Sequence, residues 1–232
     1  MAERRPRQER AEQTQRALVE AAAEVFAAHG YTGTNLGRIC ELAGTSKGAL
    51  YFHFATKDDL AAAVVAAYQR SVAELSDRLL AEDPASPMGR LVELSYEFAI
   101  RLREDALTRA AARLSAGSAP DPRDPADFAQ GWLELARELL VRAQRSGELR
   151  DGVAPAAIGS TVLAVSYGMR LLEPDRDGVE DRLAESWDLL LPGLVSDEVL
   201  ERLGASCGME LTGNQSASRV RPERPEPAAS NG

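Results

Sequence analysis

Apolar residues recur at three- and four-residue spacing along almost the whole chain, and no long run alternates apolar with polar residues as a half-buried strand would. That periodicity, cut by short Gly, Pro and Asp breaks, restricts the chain to an all-α fold. A first helix is predicted over 10–29, with Leu18, Ala22, Val25 and Phe26 as its stripe and Gly30 as its stop. Two short helices follow, over 35–43 and 46–52, with Leu36, Ile39, Cys40 and Leu42 apolar in the first and Gly44 turning the chain between them. Thr56 is placed to cap a long helix reaching about residue 80, with Asp58 and Asp59 in the first turn, where the helix dipole favours anions.

After Asp83-Pro84, Ser86-Pro87 reads as an N-cap followed by proline in the first helical turn. The helix it opens carries Leu91, Leu94, Phe98 and Leu102, and a shorter one ends at Gly117. Residues 118–125, rich in proline, are expected to be a loop. A strong helix over 126–146 sets Phe128, Trp132, Leu135 and Leu139 on one face. Two more helices are predicted over 155–172 and 179–191, the latter with Leu183, Trp187 and Leu190 and with Leu194 past Pro192. From 204 onward the Ser, Pro, Glu and Arg content predicts a disordered tail.

The helix over 155–172 has two apolar stripes. Ile158, Val162, Val165 and Met169 form one, and the small residues Ala157, Thr161, Ala164 and Gly168 form its neighbour. A helix with so wide an apolar surface needs two things to pack against. The pair of last helices is therefore read as a dimer interface, with burial of both stripes inside one subunit as the alternative.

Of the 232 residues, 44% are hydrophobic, enough for a substantial core, but no run reaches the ~18 uninterrupted apolar residues of a membrane span. The Arg-rich start lacks the apolar stretch of a signal peptide, so the expected location is the cytoplasm, where Cys40 and Cys207 are free thiols. The net charge of −9 argues against nucleic-acid binding by the whole surface, yet the charge is unevenly placed. Residues 1–57 hold eight Lys/Arg against six Asp/Glu, and both lysines of the chain, Lys47 and Lys57, lie there. A mildly basic head on an acidic body suits a protein that meets DNA at one end.

The chemistry sits in TNLGRICELAGTSKGALYFHFATKDDL, from Thr34 to Leu60: a helix, a glycine-containing turn and a short second helix. This is the pattern of a helix-turn-helix, whose second helix enters the major groove with its N-terminal residues against the base edges. Thr45, Ser46, Lys47 and Gly48 occupy those positions, and Gly48 lets backbone approach phosphate. Tyr51 and His53 can meet phosphate oxygens with a hydroxyl and an imidazole, and Lys57 adds a cation in the next helix's first turn. Leu42, Ala43, Leu50 and Phe54 are expected to pack the motif internally, and Phe52 is expected in the core as well.

The same segment, together with AAAEVFAAHGY over 21–31, resembles the DNA-binding domain of the TetR family of repressors, with some forty positions matching in order. SKGALYFHFATKDDL is most similar to the γ-butyrolactone receptor branch, and Trp132 and Trp187 look like features of that branch. The resemblance implies nine or so helices, a homodimer through the last two, and repression of antibiotic genes relieved when a small hydrophobic lactone moves the heads apart. It divides the chain into a DNA-binding head over 1–56, a ligand-binding and dimerisation body over 57–203 and the tail over 204–232. It implies a ligand role for Trp132, against the plainer reading of a core tryptophan. Thr161, Val162 and Val165 are candidates for the same cavity, with the Thr161 hydroxyl available to a carbonyl or lactone oxygen. Related pseudo-receptors and efflux repressors share the head but sense antibiotics or other metabolites, which remains the alternative.

An enzyme is not expected. The sequence has no Gly-rich phosphate loop, no His/Cys metal cluster and no nucleophile elbow, so no catalytic residue, metal or cofactor is assigned. A pure protein-interaction bundle would not need Lys47, Tyr51 and His53 at reading positions. The expected partners are double-stranded operator DNA, the effector and a second copy of the chain.

Overall fold

The structure, a computed structural model, describes residues 4–81, 86–115, 125–172 and 178–207. These form ten helices: α1 (Arg4–Gly33), α2 (Leu36–Leu42), α3 (Lys47–His53), α4 (Lys57–Ala81), α5 (Pro87–Glu104), α6 (Ala106–Ser115), α7 (Pro125–Arg145), α8 (Pro155–Leu172), α9 (Val179–Leu194) and α10 (Asp197–Cys207). A single antiparallel bridge, Leu149 to Val195, is the only strand-like pairing among the described residues. The break at Asp83-Pro84, the expected loop up to residue 124 and the tail beyond 207 lie outside the described residues.

Local chemistry sets most helix ends. Gly30, at φ 68° and ψ −177°, has a conformation that a side chain would oppose, so it breaks the straight part of α1 although one further turn follows it. Asn35 caps α2, its Oδ1 accepting from the Gly37 N–H at 2.8 Å. Gly44 at φ 61° closes α2 in a Schellman motif, with the Thr45 N–H on the Cys40 carbonyl at 2.9 Å and the Gly44 N–H on Glu41 at 3.2 Å. Ser46 caps α3 through Ala49 at 3.1 Å, and Thr56 and Asp59 cap α4 reciprocally at 2.9 and 3.0 Å. Ser86 and Asp105 cap α5 and α6 from one side only, accepting from the Gly89 and Thr108 N–H groups at 3.0 Å each.

Two hydrophobic clusters result. The head cluster holds Leu18, Ala22, Val25 and Phe26 from α1, Ile39 and Cys40 from α2, Leu50 from α3, and Phe54. It does not stop at residue 56. Leu60, Ala61, Val64 and Val65 from α4 and Ala110 and Leu114 from α6 complete it. The body cluster gathers α4, α5 and α7 to α10 around Phe98, Trp132 and Trp187. Helix α6 lies between the two. Its Ala110 and Leu114 face the head, its Ala111 and Ala112 face the body, and Leu107 packs against both.

Several expectations need correction. Phe52 is 80% exposed and Leu42 45% exposed, so neither is core. On α3, Phe52 stands two residues past the buried Leu50, about 200° around the helix, which turns it outward. Helix α1 begins at Arg4, earlier than the expected residue 10. Helix α9 runs through Pro192 to Leu194, because a proline in the last turn removes only one ladder bond. Helix α10 was not anticipated. Val199 and Leu203 bury against the body, and Arg202 reaches the buried Glu148 at 3.0 Å.

Candidate nucleic-acid interface and effector site

The helix-turn-helix presents one outward face. On α3, Ser46, Lys47 and Gly48 are exposed, Tyr51 is 55% exposed, and Leu50 is buried on the opposite side. Thr45 and His53 are half-buried, and the His53 ring meets the exposed Phe52 edge-on at 5.2 Å. The Lys47 side chain crosses Gly37 of α2, where a Cβ would stand 3.6 Å from its Cε. A cation, a small residue and an aromatic hydroxyl on one exposed face of a short helix can meet phosphates and base edges together.

Lys57 is more constrained than its neighbours. Its Nζ donates to the Thr34 carbonyl at 2.9 Å and lies 4.6 Å from the Tyr31 ring centre. Burial lowers its pKa, with nearby Asp58 acting in the opposite direction. Asp58 in turn accepts from the Tyr31 hydroxyl. Lys57 thus fixes the start of α4 to the segment preceding α2, and whatever it gives DNA comes from the same ammonium.

The body holds a second candidate site, an aromatic cluster. Trp132 on α7 is wholly buried, and its Nε1–H donates to the Tyr68 hydroxyl of α4 at 2.8 Å. That hydroxyl donates to the Phe128 carbonyl, also at 2.8 Å, and burial pushes the Tyr68 pKa well above the usual tyrosine range. The rings stack in a continuous cluster. Tyr68 lies on Phe128 at 5.0 Å, Phe98 meets Trp132 edge-on at 4.9 Å, and Phe128 contacts Tyr167 at 6.1 Å. The Arg101 guanidinium is 5.9 Å from the Trp132 ring, neutralised by Glu97 at 2.6 Å. Beside this cluster a groove of about 300 Å³ runs between α4 and α7, walled by Tyr68, Phe128, Val72 and Gly131. The helices touch closely there, since a Cβ on Gly131 would stand 2.8 Å from Val72 Cγ1.

Of the body residues singled out from sequence, the structure brings Val162 into the Trp132 cluster and leaves Val165 half-buried. Thr161 is not brought there. It is exposed with Ala157 and Ala164, and its hydroxyl donates to the Ala157 carbonyl of its own helix at 2.8 Å. Tyr68 and Arg101 were missed. The Tyr68 position follows Leu60 and Val64 on one α4 stripe, which marks it as interior but says nothing of an indole partner 64 positions away.

An all-helical chain with an outward-facing helix-turn-helix and a separate aromatic-lined body defines a DNA-binding regulator with its own sensing domain. Residues 18–64 match the family described as bacterial regulatory proteins, tetR family. The A-factor receptor protein of Streptomyces griseus is 31% identical over 228 residues, covering 96% of this chain and 78% of that one. A crystal structure of a gamma-butyrolactone receptor, described as ArpA-like, superposes with a TM-score of 0.71 at 32% identity, covering 86% of this chain and 96% of that one. CprB from Streptomyces coelicolor, in complex with its operator sequence, gives 0.68 at 31% identity, covering 88% and 100%. The chain belongs to the tetR family of regulators, and within it is similar to the gamma-butyrolactone receptors.

Proposed function

We propose that this chain is a homodimeric transcriptional repressor that leaves its operator when a neutral, γ-butyrolactone-type molecule binds the body, and that it controls antibiotic-biosynthesis genes. The observation that carries the reading is the pairing of an exposed reading face on α3 with an aromatic interior around Trp132 in one chain. Similarity at 32% identity to a gamma-butyrolactone receptor structure, over 86% of this chain, supports the lactone class above the alternative of an antibiotic or efflux substrate. Several relatives are HTH-type transcriptional regulators, which supports a non-enzymatic role, and no described helix is long and apolar enough to cross a membrane. The work of such a protein is in the cytoplasm, with DNA.

In this mechanism α3 enters the major groove, with Thr45, Ser46, Lys47 and Gly48 toward the bases and Tyr51, His53 and Lys57 toward phosphates. Two heads present two such helices about 34 Å apart, one turn of B-DNA. The exposed outer face of α8, with Ala157, Thr161 and Ala164, and Leu189 of α9, 81% exposed, supplies the surface for a second copy. Helix α4 carries the head rigidly, and α6, packed on both cores, passes a change in the body to α1. The effector shifts the equilibrium only through its preference for the released conformer, and a ~100-fold preference corresponds to nearly 3 kcal/mol.

The test is a gel shift of the purified protein on the DNA upstream of its own reading frame, with and without a synthetic 2-alkanoyl-γ-butyrolactone. Lys47→Ala should weaken operator binding by roughly ten-fold and reduce the salt dependence by about one phosphate contact. A shift that the lactone abolishes supports the whole reading, and a shift that it leaves intact keeps the repressor and rejects the lactone. Lys47→Ala binding as well as the parent would remove α3 from the DNA interface.

A further inference from the structure

The Trp132 indole, which the proposed function places at the heart of the effector site, already has a partner. Its N–H is taken by the Tyr68 hydroxyl at 2.8 Å, in a spot closed to solvent. Tyr68 has two faces in this arrangement. It holds Trp132 through its hydroxyl and also walls the α4–α7 groove, whereas Trp132 does not reach that groove. A molecule entering between α4 and α7 therefore meets Tyr68 and Phe128 first, and the indole only after Tyr68 gives way.

We propose that Tyr68 is the gate of the effector site: its hydroxyl holds the place on Trp132 that an acceptor oxygen of the effector takes, and the effector enters through the α4–α7 groove. The inference rests on the effector-released repressor reading. Exchange of one neutral hydrogen bond for another is nearly balanced in energy, which suits a reversible switch. The displaced hydroxyl also lets go of the Phe128 carbonyl, so both polar links that Tyr68 makes from α4 to α7 are lost together. Helix α4 leads straight into the head, and its release from α7 at this point is transmitted along a rigid element.

The groove also defines the charge of what enters. Its exposed lining includes Asp77 and Glu134 and contains no Lys or Arg among the described residues. The cation nearest the indole, Arg101, is held by Glu97. Such an entrance admits a neutral molecule bearing acceptor oxygens and an apolar tail, and repels a carboxylate. A closed lactone passes, and its ring-opened hydroxy acid does not.

The experiment titrates a synthetic 2-alkanoyl-γ-butyrolactone into the full-length, DNA-free protein by calorimetry. Four proteins are compared: the parent, Tyr68→Phe, Trp132→Phe and the double variant. Tyr68→Phe keeps the ring and removes the competitor, leaving the indole N–H buried without its partner, so the lactone should bind roughly three- to ten-fold more tightly. In the Trp132→Phe background the same substitution should change nothing, because the contested donor is gone. The ring-opened acid should bind the parent at least about ten-fold more weakly than the lactone. Equal or weaker lactone binding by Tyr68→Phe overturns the gate, as does a gain that persists without Trp132 or a lactone that binds none of the four proteins. Acid and lactone binding alike overturns the charge selection. Operator binding, measured in parallel, separates the two readings. A parent that binds no operator but shows the Tyr68 effect keeps the gate and loses the repressor.

Discussion

The head and the body of this molecule are both packed helices, yet their interiors differ in kind. The head core is made of aliphatic and small residues around Phe26 and Phe54, with Leu18, Val25, Ile39, Leu50 and Leu60 closing on them. The body core buries polar side chains in pairs: Trp132 on Tyr68, and Trp187 on Ser95 at 2.8 Å. An apolar core is satisfied only by its own shape, and a head that must hold α3 in one attitude benefits from having a single solution. A buried hydrogen bond can be satisfied by more than one partner, so an interior built on such bonds can exchange an internal oxygen for an external one. Under the proposed function, rigidity for reading and exchangeability for sensing are thus both properties of interior chemistry.

The comparison breaks most easily at Phe26. The ring is fully buried at the centre of the head, and Phe26→Ala should cost about 3–5 kcal/mol. Operator binding should be lost. The body, with both tryptophans, should keep its emission and its own unfolding transition in urea, while helix content falls earlier. A single coincident transition for helix content and tryptophan emission would mean that the two cores are one cooperative unit joined through α6.

The two interiors were also unequally legible. In the head, the signals are local. Asn35, Ser46 and Thr56 act on amides two or three residues away, and Gly30 and Gly44 act on their own backbone. A sequence displays such signals directly. The apolar type of Phe52 suggests the interior, whereas its angular position on α3 decides, and Leu50 takes the inward place. In the body, the deciding contacts join distant helices. Nothing near Tyr68 announces Trp132, and nothing near Thr161 says which of two adjoining stripes on α8 meets the core. The apolar spacing of Val199 and Leu203 was present, but a short helix after Pro192 is anchored by the bridge from Leu149 to Val195, again a long-range contact.

A smaller effect is expected where the two regions are joined. Arg113 on α6 donates through Nη1 to the carbonyls of Ala27 and Ala28, at 2.7 and 2.9 Å, in the last straight turn of α1 before Gly30. A cation suits that end of a helix, where carbonyls lack partners. The side chain is exposed, so Arg113→Ala should cost only about 1 kcal/mol of stability. Its distinguishing effect is on communication. The ratio of operator affinities without and with lactone should shrink by roughly three- to five-fold, since α6 then holds α1 by apolar contact alone. An unchanged ratio would show that α4 alone carries the signal.

The smallest effect concerns an unsatisfied polar atom in the body. Asp188 on α9 buries its Oδ1 with no hydrogen-bond partner among the described residues. Burial raises its pKa, and nearby Glu185 raises it further. A carboxyl whose folded pKa lies above its unfolded value favours folding while it is protonated. That contribution is complete below the unfolded pKa of about 3.9 and is lost as pH rises through the raised folded value. At pH 7 the native state therefore carries a charge that the unfolded chain solvates better. Asp188→Asn removes the charge and should stabilise the protein at pH 7 by less than about 1 kcal/mol, with the gain disappearing near pH 4. Thermal melts of both proteins at the two pH values decide it. A gain of equal size at both would assign the effect to shape rather than charge. A loss at pH 7 would mean that the carboxylate has a cationic partner beyond the described residues.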